Sequence, residues 1–341
     1  MTTTIVIFGA SGDLTRRKLV PALYSLRCKG RLVDDLRIVG FARRPYDSPR
    51  FRELMKDGVK EFAADRYTDA AWDGFQACLH YVQGDLGSEK DFRVLDGRLG
   101  ALEGGPSNRL YYFSIAPRLY ASTIELLGRC GMAQEADGYR RTIIEKPFGT
   151  DRSSAAALNA AVHDVFDERQ VYRIDLRSGK ALAEKVSEIV IQFRAPPHVM
   201  FPLPAGARLQ SNYLAICVQP DEGMHLRLEA KVPDTIAELR AVDMEFHYDE
   251  GFDGLAIPDA YERLLLDALQ GDPSLFARSD GIELSWKAID PIIEGWRGPD
   301  APRLETYAPG SWGPGGADAL LRRDGRSWRR GCGQHGTHGT R

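Results

Sequence analysis

The sequence predicts an α/β domain built on a parallel sheet, followed by an α+β domain whose sheet is mostly antiparallel. Three observations carry this. Apolar runs alternate with helical patterns through the first half, as a series of right-handed βαβ units requires. After about residue 186 the hydrophobic period drops to two, as in strands with one buried face. A chain of 341 residues, 43% of them hydrophobic, is long enough to fill two ordinary cores.

The elements follow in order. The opening MTTTIVIFGA holds a first strand at 4–8 and is too short and uncharged for a signal peptide. Further strands are expected at 36–41, 79–82, 110–114 and 142–144, with helices at 14–28, 51–62, 119–128 and 153–165. Beyond 186, Ile189, Ile191 and Phe193 alternate with Val190, Gln192 and Arg194, and Leu226, Leu228 and Ala230 with Arg227, Glu229 and Lys231. Val242, Met244, Phe246 and Tyr248 alternate in the same way with Asp243, Glu245 and His247. Helical patterns return at 258–269 and 281–296. From 301 onward Gly, Pro and Arg dominate, and 313–341 is expected to be a disordered tail. Its His335 and His338 are a loose pair, short of the ligand count a metal site needs.

Composition narrows the partners. The 45 basic and 48 acidic residues leave a net charge of -3, so there is no broad basic field for nucleic acid or an acidic membrane. No apolar run approaches the roughly 20 residues of a membrane span. A small ligand is expected instead. Cys28, Cys78, Cys130, Cys217 and Cys332 are odd in number and never spaced C-x-x-C, which argues against a disulfide framework or zinc site and for a reducing cytosol.

Three motifs carry chemistry. The first strand runs into GASGDLTRRK, where Gly9, Ala10, Ser11 and Gly12 lead through Asp13 into a helix opening at Leu14. Small residues there let backbone N–H groups and the positive helix end approach a pyrophosphate. By itself the loop is equally an ordinary βα turn. The second strand ends in GFARRP, and Arg43 and Arg44 stand where an NAD enzyme usually places an acidic residue. A cation there suits a 2′-phosphate, hence NADP, although a solvated arginine pair is the plainer alternative. In IIEKPFGTD, Lys146 sits at the carboxyl end of a parallel strand, where such sheets bind ligands, and Pro147 fixes the turn that aims it. A surface lysine is the competing reading.

Taken in order, GASGDLTRRKLVPALYSL, GFARR, YVQGDL, NRLYYFSIAP and EKPFGTD resemble the glucose-6-phosphate dehydrogenase family. So do LRSGKALAEK, EIVIQF, CVQPDEGM, IPDAYERLLLDALQGD, FARSDGIELSW and YAPGSWGP, and the resemblance spans nearly the whole chain. It implies a Rossmann-like NADP-binding domain at 1–170 and a C-terminal α+β domain at 171–312. The implied reaction oxidises glucose 6-phosphate at C1 to 6-phosphogluconolactone, with hydride passing to NADP in the cytoplasm, as the first step of the pentose phosphate pathway. By resemblance, Gly9 to Leu14 form the phosphate turn, Arg43 meets the 2′-phosphate and Asp85 lies near the adenosine. Lys146 reaches both nicotinamide and sugar, while Lys180, Lys185 and Gln219 contact the substrate. The family also associates through its C-terminal sheet, so a homo-oligomer is implied.

One stretch departs from the family. In YRIDLRSGKALAEK the family's R-I-D should continue as H-Y-L-G-K-E, yet Asp175 is followed by the family's much later L-R-S-G-K. Both motifs end in Gly-Lys, so Lys180 belongs to either. What the resemblance marks as missing is a block carrying an N-H-L-L-Q helix, whose His takes the C1 hydroxyl proton. Asp175 matches the residue that orients that His. An internal deletion, an incomplete α+β domain and impaired activity are therefore expected. His163 is expected on the outer face of a helix, His198 in a loop after two prolines, and His225 and His247 on the polar face of strands, none placed as a substitute base. Two rivals stay open: a catalytically inert NADP-binding or subunit-pairing remnant, and another E-K-P oxidoreductase acting on a different sugar.

Overall fold

The computed structural model describes residues 1–174, 186–194, 211–219, 222–236, 238–252 and 258–328. Asp175, Lys180, Lys185 and His198 lie outside the described residues. The chain divides into two compact units, one of Met1–Arg177 with Pro258–Ala301, the other of Ser178–Ile257 with Pro302–Arg341.

The first unit is a six-stranded sheet of β1 (Thr2–Phe8), β2 (Leu36–Ala42), β3 (Leu79–Gln83), β4 (Ser107–Phe113), β5 (Arg140–Glu145) and β6 (Val171–Ile174), in the order β3-β2-β1-β4-β5-β6. Every pairing is parallel. Central β1 is buried along its whole length because helices cover both faces, so TTTIVIF is continuously rather than alternately enclosed. Its period of two still sorts the cores. Ile5 and Ile7 pack with Leu23, Tyr24 and Trp72 on one side, whereas Val6 and Phe8 pack with Phe41, Phe92 and Tyr111 on the other.

The covering helices are α1 (Val20–Cys28), α2 (Ser48–Phe62), α3 (Asp69–Gln76), α4 (Glu89–Glu103), α5 (Tyr120–Arg129) and α6 (Arg152–His163). Side-chain caps start several of them: Asp47, Thr68, Ser88 and Asp151 each accept a backbone N–H from the first turn. The expected helix at 14–28 is instead a π-helical turn at Thr15–Leu19 followed by α1. Pro21 lies in the first turn of α1 and has no N–H to continue the preceding ladder, so the hydrogen-bond register changes there.

The first unit also extends beyond the 1–170 segment drawn from sequence. It takes in β6 and, after the stretch Ser178–Ile257 that belongs to the other unit, α8 (Ala260–Gln270) and α9 (Ser279–Arg297). Tyr261, Leu265 and Leu266 of α8 join the core that holds Ile5 and Leu23.

The second unit is an antiparallel sheet of β7 (Ser187–Gln192), β8 (Tyr213–Gln219), β9 (Gly223–Lys231) and β10 (Leu239–His247), ordered β10-β9-β8-β7. It carries α7 (Tyr248–Gly251) and α10 (Gly315–Arg322). The period of two holds, but the burial is reversed from expectation. Ala215, Cys217 and His225 on one face are buried, whereas Ile189, Ile191, Met224, Val242 and Met244 on the apolar face are exposed. The C-terminal end of α10 and the chain after it account for part of this, since Leu321 and Trp328 line a cavity with Val190 and Gln192 on the enclosed face.

Two further expectations are corrected. The tail at 313–341 is not wholly irregular: the Ala- and Leu-rich run of α10 is helical, and Trp328 folds back to donate to the Ala317 carbonyl at 3.2 Å. Cys28, Cys78 and Cys130 are free, but Cys217 is disulfide-bonded, against the expectation of unpaired cysteines. Among the described residues no helix is long and apolar enough to cross a membrane.

Candidate functional site

Because every strand of the first sheet is parallel, the carboxyl ends of all six share one edge, and the predicted cofactor residues collect there. At the end of β1, Gly9 has φ +78° and donates its N–H to the Phe41 carbonyl at 2.9 Å. A Cβ on Gly9 would come within 2.1 Å of the Ser114 carbonyl oxygen, so only glycine lets β1 turn this close to the end of β4. Gly12 then closes the turn by donating to the Gly9 carbonyl at 2.9 Å. Ala10 is buried, and a Cβ on Gly40 would lie 2.7 Å from its methyl group. Gly12 and Asp13 are exposed at the mouth of the following helix, with Ser11 and Leu14 half-buried beside them. The first N–H groups of a helix have no intrahelical partner, which suits this turn to a phosphate.

On the neighbouring strand ends, Arg43 and Arg44 are both exposed but not equivalent. Arg44 donates to the Tyr46 hydroxyl at 3.1 Å. The Tyr81 hydroxyl donates to the carbonyls of Ala42 and Arg44 at 3.0 and 2.8 Å and so holds the loop in place. Burial pushes the Tyr81 hydroxyl up to about 12, so it stays a donor at any physiological pH. Arg43 shares this rigid loop, its carbonyl accepting from Gln83 at 3.2 Å. Asp85, exposed after β3, shapes its own turn: its carboxylate accepts the Gly87 N–H at 2.8 Å.

At the end of β5, Lys146 is exposed, its backbone N–H donating to the Ile174 carbonyl at 3.2 Å. It borders a cavity of about 490 Å³ lined also by Glu145, Phe148, Arg173, Trp286 and Ile289. Glu145 accepts from the Tyr112 hydroxyl at 2.5 Å and from Tyr261 of α8 at 3.4 Å. Burial raises its carboxyl above the usual range despite those two donors. Arg173, almost fully enclosed, donates to Glu168 at 2.9 Å and lies 5.0 Å from the Phe148 ring centre. Burial lowers its pKa, with Glu168 opposing. Glu145, Tyr112, Tyr261 and Arg173 received no role from sequence, though all four lie within quoted motifs.

The remaining predicted residues are placed within their own units. Gln219 ends β8 in the second unit, where its amide donates to Ser187 at 3.0 Å. His163, expected on an outer face, is exposed and lies 3.1 Å from Glu168. His225 and His247, expected on a solvated face, are buried and nearly buried beside Glu245.

A parallel sheet wound outward in both directions from β1, with a glycine turn at the switch point and a cation after β2, defines a dinucleotide-binding oxidoreductase unit. Family models make it more specific. The model for the glucose-6-phosphate dehydrogenase NAD binding domain matches residues 6–184, and that for its C-terminal domain matches 156–329. The chain belongs to the glucose-6-phosphate dehydrogenase family. Glucose-6-phosphate 1-dehydrogenase 2 of Mycobacterium bovis is 27% identical over 486 aligned positions, covering 96% of this chain and 94% of that protein. The Chlamydia pneumoniae glucose-6-phosphate 1-dehydrogenase is 28% identical over 489, covering 95% of each. Among solved structures, a glucose-6-phosphate dehydrogenase in complex with its substrate glucose-6-phosphate superposes with a TM-score of 0.84 at 23% identity, covering 96% of this chain and 99% of that one. The Mycobacterium avium glucose-6-phosphate 1-dehydrogenase gives 0.78 at 22%, covering 97% and 98%. These two show the shared fold.

Proposed function

We propose that the chain is an NADP-dependent oxidoreductase acting on glucose 6-phosphate, with cofactor binding intact and catalysis impaired by an internal deletion near Asp175. One observation carries the deletion. The match to the Mycobacterium bovis relative runs over 486 positions and reaches nearly both ends of each protein, whereas this chain has 341 residues. The overlap of the two family models on residues 156–184 supports a join in the same place.

The first unit fits the cofactor because the Gly9 turn approaches β4 more closely than any side chain permits. Gly9 to Leu14 would hold the pyrophosphate and Arg43 the 2′-phosphate, with Asp85 on the adenosine side. Bound NADP supplies a hydride acceptor. Lys146, just after β5, would orient the sugar, and Lys180, Lys185 and Gln219 would be its further contacts by family pattern. Asp175 is left as an orienting residue without the His it would orient. The C1 hydroxyl proton then has no placed acceptor, a loss typically worth about 10²–10⁴-fold.

The chain is therefore expected to form NADPH from glucose 6-phosphate at least about a hundredfold more slowly than the Mycobacterium bovis relative. The same protein should bind NADP more tightly than NAD, with Arg43→Ala removing the difference. A rate matching the relative would overturn the impairment, and equal affinity for both nucleotides would overturn the cofactor assignment. An inert NADP-binding remnant is the second reading, favoured by the completeness of the first unit; NADP binding with no turnover at high protein concentration would select it. A cytoplasmic setting, where NADP and phosphorylated sugars are held, and a homo-oligomer formed through the second sheet belong to the same proposal.

A further inference from the structure

A cluster in the second unit has no part in that reaction. Glu245 lies directly opposite His225 across the β9–β10 ladder, and His247 follows two residues on, so all three side chains share one face. The register opposite His247 is Gly223, where a Cβ would come within 2.4 Å of the Phe246 carbonyl oxygen. His225 Nδ1 lies 3.4 Å from one Glu245 oxygen and His247 Nε2 lies 4.0 Å from the other. The imidazole centres are 5.0 Å apart with rings at 81°. One ligand atom from each residue falls within 4.8 Å of the others.

We propose that His225, Glu245 and His247 form a divalent metal site, best matched to zinc, that clamps edge strand β10 to β9. Tetrahedral zinc bonds of about 2.0–2.1 Å place neighbouring ligand atoms about 3.3 Å apart, so the three donors need only small side-chain rotations to converge. Two imidazoles and one carboxylate are a zinc-type donor set that leaves a fourth position for water. Side-chain exposures of 7% for His225 and 14% for His247 shelter the nitrogen donors, while Glu245 at 37% leaves a route of entry. Arg227, on the same face, is paired with Asp243 at 3.7 Å, which reduces its repulsion of an incoming ion.

The test is a zinc titration of the full, metal-stripped chain against a chromophoric chelator, with cobalt as a spectroscopic stand-in. One equivalent should bind, cobalt should give the strong visible bands of a tetrahedral site, and zinc should raise the melting temperature. His225→Gln and His247→Gln should each weaken binding by at least about tenfold, a cost that outer-shell changes alone already reach. Because His225 is buried and its replacement could disturb the sheet, His247→Gln with an unchanged circular dichroism spectrum is decisive. The tail variant His335→Gln/His338→Gln should bind as the parent does. Zinc binding that survives His247→Gln, that disappears in the tail variant, or that is absent from the parent chain would overturn the site.

Discussion

At the scale of single residues, the strongest electrostatic commitment lies away from the ligand edge. Arg109 of β4 is held by Glu103 through contacts of 2.8 to 3.2 Å, and both side chains are almost fully enclosed. Burial alone would raise the Glu103 carboxyl, but the hydrogen bonds and charge of Arg109 outweigh it and hold the carboxyl below its usual range. A carboxyl depressed in this way stabilises the fold above its unfolded pKa, about 4.3, and that contribution disappears as pH falls through the lower folded value. Glu103→Gln should cost about 3 kcal/mol at neutral pH, because Arg109 stays buried with only half-exposed Asp96 to face it. Urea midpoints of parent and variant should converge below about pH 4. Equal midpoints at pH 7 would show that Asp96 alone suffices. Little of this was legible beforehand: Arg109 belonged to a recognised motif, but its partner sits at the end of a helix with no motif of its own.

At the scale of elements, the parallel strands were the most legible part. Runs expected at 36–41 and 79–82 became Leu36–Ala42 and Leu79–Gln83: β2, enclosed on both faces, is apolar almost throughout, whereas edge strand β3 was legible from its alternation of buried Leu79 and Tyr81 with half-buried His80 and Val82. The antiparallel strands were legible in period but not in facing, because alternation separates two faces without telling which one another layer will cover. Hence His225 was expected in water and is buried. The same reversal leaves Ile189 at 55% and Met244 at 59% exposure on a continuous apolar face. Such a face should drive association of the purified chain. Met244→Asp, which adds charge without removing a buried contact, should shift the species seen by sedimentation toward monomer. An unchanged distribution would mean that this face does not mediate pairing. The environment of Glu145 was hidden for another reason: Tyr112 and Tyr261, which hold its carboxylate, come from β4 and α8, far apart in sequence.

At the scale of the whole molecule, the first unit is built from two separated pieces of chain. The helical pattern at 258–269 was legible, but not that α8 would pack on a sheet completed before the second unit begins. Tyr261, Leu265 and Leu266 share a core with Leu23 and Tyr24, and Arg141 donates to the carbonyls of Ala268 and Leu269 at 2.8 and 2.7 Å. A fragment ending at 174 should therefore melt well below a single chain that joins 1–174 to 258–301 by a flexible linker. Calorimetry of the two would settle it, and matching transitions would show that α8 and α9 are dispensable.

This divided construction also sets a schedule for synthesis. At roughly 5–20 residues per second, about 6–25 s separate the emergence of Ile174 from that of Ala301. During that interval the nascent sheet has made all its strand pairings but lacks the helix that covers Leu23 and Tyr24, leaving a sticky flank beside a growing chain. Chaperone capture should consequently concentrate on ribosomes that have passed β6 but not yet released α8, making the pace of translation through the second unit a determinant of yield.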